Sequence, residues 1–227
     1  MSMTPPRQPQ SLELSLAVFG ATGPTGRLVV SEALDASHHV AAAARHPEAI
    51  TTRRPGLRVV AVDVADPGAD LTQVLVGADA VLSALGSHSR QPTTVYSQGG
   101  EAIAAAMAAE GVGRLIAISS AGIEIPPGLP WAQRVVMSQI IGRFYRHQYS
   151  DRVRMEAYLE HSPLDWTVIR APRLTDGPPT GRTRISLDAP ILDATSLHRA
   201  DLARFIIAAV QQPDTYRRRA YLASPRR

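Results

Sequence analysis

Cysteine is absent from these 227 residues. That excludes disulfides and thiolate chemistry, and it removes any argument for an oxidising compartment. Lysine is missing too: all 24 basic side chains are arginine, a permanent cation that cannot donate a proton near neutral pH. Aromatic residues make up only 5% of the chain, so the interleaving of basic and aromatic residues expected of a nucleic-acid surface is not there. No uninterrupted apolar run reaches about eighteen residues, and no membrane span is expected. Residues 1–10 carry three prolines and no apolar core, so they do not read as a secretory signal. A soluble, cytoplasmic protein is the expectation. There is no Gly-x-Ser-x-Gly elbow, and hence no support for a serine hydrolase. The seven histidines are scattered, and the adjacent pair His38-His39 lacks a set of carboxylate partners. No metal site is expected.

What remains is ordinary for a globular domain: 44% hydrophobic and 19% charged residues, with a net charge of +4. Arg217, Arg218, Arg219, Arg226 and Arg227 read as a solvated edge and tail. Short, near-continuous apolar runs alternate with helical segments. Strands are expected at 14–19, 39–44, 57–62, 78–84, 114–119, 166–170 and 220–223. Helices are expected at 25–35, 71–76, 94–110, 139–161 and 199–210. Alternation of this kind signals a parallel sheet covered on both faces. The expected fold class is α/β: a Rossmann-like, doubly wound, mostly parallel sheet in a single domain at 13–227, after a flexible leader at 1–12. Asp201 is placed to favour the start of the last helix electrostatically. The proline- and glycine-rich stretch after Ala171 reads as a loop or lid. Substrate loops are expected at 121–150 and 171–197.

Between the first strand and the first helix lies Gly20-Ala21-Thr22-Gly23-Pro24-Thr25-Gly26. In a strand–turn–helix setting such a loop offers backbone N–H groups to a phosphate. Gly20 can take the turn, Gly23 would admit a pyrophosphate, and Gly26 would let the helix close on its strand. This points to a dinucleotide; a purely structural turn is the alternative.

Other positions fit the same ligand. The second strand ends Ala41-Ala42-Ala43-Ala44-Arg45-His46, with no acidic residue to accept from free ribose hydroxyls. Arg45, nineteen residues after Gly26, suits a 2′-phosphate, so NADP(H) is expected over NAD(H). The alternative is a surface arginine. Asp63 could accept from the adenine amino group while Val64 packs on the ring; equally, Asp63 could cap the next turn. Leu85 and Gly86 could let the backbone pass beneath a ribose, or Gly86 could be a plain turn glycine. Ser119 and Ser120 close the fifth strand, where a hydroxyl could meet the nicotinamide or a substrate carbonyl; otherwise they satisfy local backbone groups.

The sequence resembles the atypical short-chain dehydrogenase/reductase family of NAD(P)H-binding proteins, in its flavin reductase-like branch. The resemblance spans about residues 14–223 and rests on four segments. They are the glycine loop, Pro92-Thr93-Thr94-Val95, Arg154-Met155, and Arg173-Leu174-Thr175-Asp176-Gly177-Pro178-Pro179-Thr180-Gly181. The last is the most discriminating. It implies NADPH bound along the strand ends and hydride transfer to a small planar acceptor by a monomer. Carried over by position, Gly20, Thr22, Gly23, Pro24, Thr25 and Gly26 would touch the pyrophosphate, Arg45 the 2′-phosphate, and Asp63 and Val64 the adenine. Leu85 and Gly86 would line the ribose, Ser119 and Ser120 would sit by the nicotinamide, and Pro172 would border its carboxamide. Two departures stand out. Arg173 and Arg152 occupy places where that branch carries histidine. Arg152 aligns with a lysine in other relatives, so a cofactor contact is implied there; an anionic substrate and helix packing are the alternatives. The Tyr-x-x-x-Lys pair of the wider superfamily is also missing, and Tyr145 and Tyr149 read as packing residues. The non-catalytic alternative is an NADP(H)-binding sensor.

Overall fold

The computed structural model describes residues 12–87, 91–124, 130–140 and 145–225. Most of the expected leader, Arg226, Arg227, and residues 125–129 and 141–144 of the expected substrate loop lie outside the described residues. Apolar runs of four to seven residues form six parallel strands. They are β1 (Ser15–Phe19), β2 (His39–Ala44), β3 (Leu57–Ala61), β4 (Ala80–Ser83), β5 (Arg114–Ser120) and β6 (Asp165–Ala171). Three short strands follow, β7 (Arg173–Thr175), β8 (Arg184–Leu187) and β9 (Ser196–His198), and then β10 (Arg218–Ala223). The main sheet has eight strands in the order β3-β2-β1-β4-β5-β6-β10-β8, and only β8 runs antiparallel to its neighbour.

Strand residues are apolar on both sides because both sides are buried. In β1, Leu16 and Val18 enter one hydrophobic core while Ala17 and Phe19 enter the other. In β5, Ile116 faces the first core, and Leu115 and Ala117 the second. Each large side chain so buried contributes about 1.5–3 kcal/mol. Helices α1 (Pro24–Asp35) and α6 (Arg199–Ala209) cover the first face. The short α2 (Thr72–Leu75), with α3 (Ser97–Glu110) and α5 (Arg146–His161), covers the second. Helix α4 (Trp131–Ile140) lies before α5. Among the described residues, no helix is long and apolar enough to cross a membrane.

The stretch 171–197, expected as a loop or lid, holds regular structure. It contains β8, which extends the main sheet, and the β7–β9 pair. It is also pinned to the start of α6, where Arg199 pairs with Asp176 at 2.8 Å and His198 Nδ1 lies 2.9 Å from the Pro178 carbonyl. Asp201 lies in the first turn of α6, as expected, and its carboxylate also holds that stretch, accepting from Thr180 N and Oγ1 at 2.8 and 2.7 Å and from Gly181 N at 3.2 Å. The stretch 139–161 is mostly helix, as expected: α4 runs to Ile140 and α5 covers Arg146–His161, with residues 141–144 outside the described residues. Arg217 and Arg218 are exposed, as a solvated edge would be, but all three of Arg217–Arg219 are also engaged. Arg217 donates to the carbonyls of Glu160, Ser162 and Leu164 where α5 ends, Arg218 pairs with Asp188, and Arg219 pairs with Glu160 at 2.7 Å. Composition alone could not see these partners, which lie on other elements.

Candidate nucleotide-binding site

The strand order reverses between β1 and β4, so the connections leaving their carboxyl ends run to opposite faces and open a crevice. The glycine loop sits there. Gly20 has φ +76, and a Cβ on it would come within 2.4 Å of the Ala84 carbonyl oxygen. A Cβ on Gly26 would lie 2.1 Å from the Gly20 oxygen. Both are backbone collisions, so only glycine permits β1, β4 and α1 to converge this closely. Gly23 is different, with no contact tighter than 3.4 Å; it caps α1 and donates to the Gly20 carbonyl at 3.1 Å. Arg27 Nε binds the Thr22 carbonyl at 2.9 Å and holds the loop in place.

Helix α1 begins with Pro24 and has neither a side-chain cap nor an acidic residue in its first turn. Its first-turn N–H groups and the positive end of its dipole therefore receive nothing from their own helix. Helix α3 contrasts with it. The fully buried Asp151 of α5 accepts from Tyr96 N at 2.9 Å and from the Ser97 hydroxyl, and so caps α3 from across the fold. Asp201 occupies the first turn of α6.

Around this open terminus the expected residues converge. Arg45 leaves the end of β2 exposed and makes no ion pair or hydrogen bond among the described residues. Asp63 follows β3 and accepts from Ala65 N at 3.0 Å through Oδ1. Its turn-capping reading is therefore realised, with the second oxygen left over. Val64 and Leu85 rest together on α3, where a Cβ on Gly99 would lie 3.3 Å from Val64 Cγ2 and 3.1 Å from Leu85 Cδ1. Gly86 is distinctive: a Cβ there would meet nothing within 4 Å. The fold itself does not demand glycine at that position.

Arg152 reaches under the same loop. Its guanidinium stacks on Tyr96 at 3.9 Å, and Nη2 donates to the Tyr96 hydroxyl at 2.7 Å. That hydroxyl also accepts from Ser87 N at 3.0 Å, which joins the Leu85–Ser87 turn to α5. Burial pushes the Arg152 pKa below its ordinary value, partly opposed by the phenol of Tyr96. Its Nε is buried and has no hydrogen-bond partner among the described residues. An orphaned guanidinium N–H is costly unless something accepts from it.

The two serines diverge, because successive strand side chains alternate. Ser119 is buried and donates to Glu156 at 2.6 Å. Glu156 in turn is held by Arg170 Nη2 at 2.7 Å. Ser120 is half-buried and accepts from Gly122 N at 3.2 Å; its own proton has no acceptor among the described residues. Pro172 is half-buried between β6 and β7, and Arg173 beside it is exposed without an ionic partner among the described residues. Sequence reasoning missed Tyr96, Gly99 and Asp151. No local signal marks them, since each acts on an element distant in the chain. The 350 Å³ cavity lined by Ser15, His39 and Arg58 lies at the opposite ends of β1–β3 and contains none of these groups.

Comparisons with known proteins agree with this geometry. A model of an NAD(P)H-binding family matches residues 20–213. An uncharacterized chloroplastic protein of Arabidopsis thaliana is 25% identical over 207 residues, covering 87% of this chain and 72% of that one. Among solved structures, the oxidoreductase ylbE of Lactococcus lactis superposes with a TM-score of 0.79 at 20% identity, covering 94% of this chain and 92% of that one. A wide-type short-chain dehydrogenase/reductase of Veillonella parvula in complex with NADP gives a TM-score of 0.75 at 16% identity, with coverage of 94% and 96%. A glycine loop closed by backbone contact, a helix terminus without a carboxylate and a family match over residues 20–213 lead to one assignment: the protein belongs to the NAD(P)H-binding family.

Proposed function

We propose that the chain is an NADPH-dependent reductase of small planar acceptors, flavins or quinones. The observation that carries the reading is the uncapped terminus of α1 with unpaired Arg45 beside it: two anion sites, one for a diphosphate and one for a 2′-phosphate. When bound, the dinucleotide supplies the hydride. The residues of the chain bind and orient. Backbone groups of Gly20, Thr22, Gly23, Thr25 and Gly26 hold the diphosphate, with Pro24 fixing the first turn of the helix. The free oxygen of Asp63 accepts from the adenine amino group, with Val64 against the ring. Leu85 and the open Gly86 floor the ribose, and the unpartnered Arg152 Nε donates to the nicotinamide half. Pro172 borders the carboxamide, and the free proton of Ser120 is the polar handle next to it.

Calorimetry tests the first step. NADPH should bind well over tenfold more tightly than NADH. Arg45→Ala should weaken NADPH by about tenfold and spare NADH, one charge-assisted contact being worth roughly 1.5–3 kcal/mol. Equal affinities, or equal losses, would overturn the 2′-phosphate assignment. Oxidation of NADPH with flavin or quinone acceptors tests the second step.

A dinucleotide sensor without turnover is the alternative. It is favoured by the engagement of hydroxyl protons near the site: Ser119 donates to Glu156, and Tyr221 to Glu124. Tight NADPH binding with no oxidation across a broad acceptor panel would select it.

A further inference from the structure

Aromatic side chains are scarce in this chain, yet two of them stack where β5 ends. The rings of Tyr145 and Tyr149 lie 5.5 Å apart and 16° from parallel. Tyr145 is 45% exposed, and neither tyrosine belongs to a hydrophobic core. Their stacking therefore does little to build the interior.

The pair is anchored to the candidate site. The Tyr149 hydroxyl lies so close over Gly122 that a Cβ there would come within 2.5 Å of it. Gly122 N in turn donates to Ser120 Oγ at 3.2 Å. Contacts thus run from the end of β5 through Gly122 and Tyr149 to the exposed ring of Tyr145. Tyr149 and Arg152, three residues apart on α5, share one side of that helix, and Arg152 is the residue joined to the Leu85–Ser87 turn. One edge of this helix thus links the proposed ribose floor to an aromatic surface.

We infer that the Tyr145–Tyr149 stack is the wall that receives the acceptor, and that it selects flat, conjugated, electron-poor rings. Oxidised quinones and isoalloxazines stack offset on an electron-rich phenol face, and the exposed ring of Tyr145 offers that face. The inference deepens the reductase reading and rests on it for the role of the ring as acceptor, but ring binding itself can be measured without turnover.

Riboflavin and a naphthoquinone are the probes, titrated into the full chain with and without NADPH and followed by quenching of fluorescence. Tyr145→Ala should weaken both by roughly three- to tenfold, the worth of one aromatic stack. Tyr145→Phe should restore them, and NADPH affinity should stay unchanged. Gly122→Ala, which pushes the Tyr149 hydroxyl aside, should give the same loss in a chain that keeps both tyrosines. In turnover, Tyr145→Ala should raise KM and leave kcat at saturation unchanged. Probe affinities unaltered in both variants, or no probe binding by the unmodified chain, would overturn the inference. Probe binding lost in the variants, with no NADPH oxidation by any form, would retain the ring site and overturn the reductase reading instead.

Discussion

Two arginines lie at opposite ends of β5, Arg114 buried and Arg152 half-buried, and they are treated differently. Arg114 opens the strand. Its five guanidinium N–H groups all have acceptors: Nε on Val210 O at 3.2 Å, Nη1 on Asp165 O and Thr167 Oγ1 at 2.7 and 2.8 Å, Nη2 on Ala209 O and Thr215 Oγ1 at 2.6 and 3.0 Å. Its guanidinium carbon also sits 4.3 Å from the Tyr216 ring centroid. Desolvation lowers its pKa to about 10, so it remains a cation at neutral pH, one that ties the end of α6 to the sheet. Arg152 lies near the other end. It makes one good bond to Tyr96 and a 3.5 Å contact with the Ile118 carbonyl, and its Nε is left unpartnered. The Arg114 guanidinium is fully satisfied by the protein. The Arg152 guanidinium, where a ligand is proposed, is left incomplete, at a cost to the free protein that a bound group would offset.

The largest effect should come from breaking the closed end. Arg114→Ala leaves three carbonyls and two hydroxyls buried with fewer partners, and should cost about 3–5 kcal/mol. A thermal melt should show a fall of roughly 6–20 °C, at about 2–4 °C per kcal/mol for a chain of this size. NADPH affinity of the folded fraction should not change. A shift below about 2 °C would mean that the hydrogen-bond set is not what holds α6.

The open end should respond in reverse. Arg152→Met removes a half-buried cation whose buried Nε has no partner among the described residues, and keeps most of its volume. The melting temperature should hold or rise, because apolar replacement of incompletely paired buried charge is often neutral or stabilising. NADPH affinity should fall about tenfold, the worth of one charge-assisted bond. Destabilisation comparable to Arg114→Ala would erase the distinction between the two ends.

Gly86→Ala is the smallest and sharpest test. Its Cβ enters open space, so stability should stay within about 0.5 kcal/mol. NADPH should nonetheless bind several-fold more weakly if a ribose passes there. Gly26→Ala gives the control, since its Cβ collides with the Gly20 oxygen and both readouts should suffer. Unchanged binding in Gly86→Ala would remove that loop from the ribose floor.

Much of this was legible in the sequence. The six parallel strands lie within a few residues of their expected positions, because runs buried on both faces must be apolar throughout. The glycine loop was readable because the backbone geometry of a tight β–turn–α unit leaves few residue choices. The three short strands in and at the end of 171–197 were not legible, because proline and glycine mark turns without saying what lies between them. Ser120 was preferred to Ser119 as the catalytic hydroxyl on sequence, and the pleat supplies the physical reason that separates them.

The chain by itself determined the α/β class, the phosphate-type loop and the absence of an acidic residue before Arg45. These depend on local backbone chemistry and on residues near one another. Tertiary structure alone decided that Asp151 caps α3 from 55 positions away, that Arg114 finds acceptors as far as 101 positions along the chain, and that Arg152 lies over Tyr96. Hydrogen-bond satisfaction is settled by whichever groups packing brings within reach, and no window of sequence contains both partners.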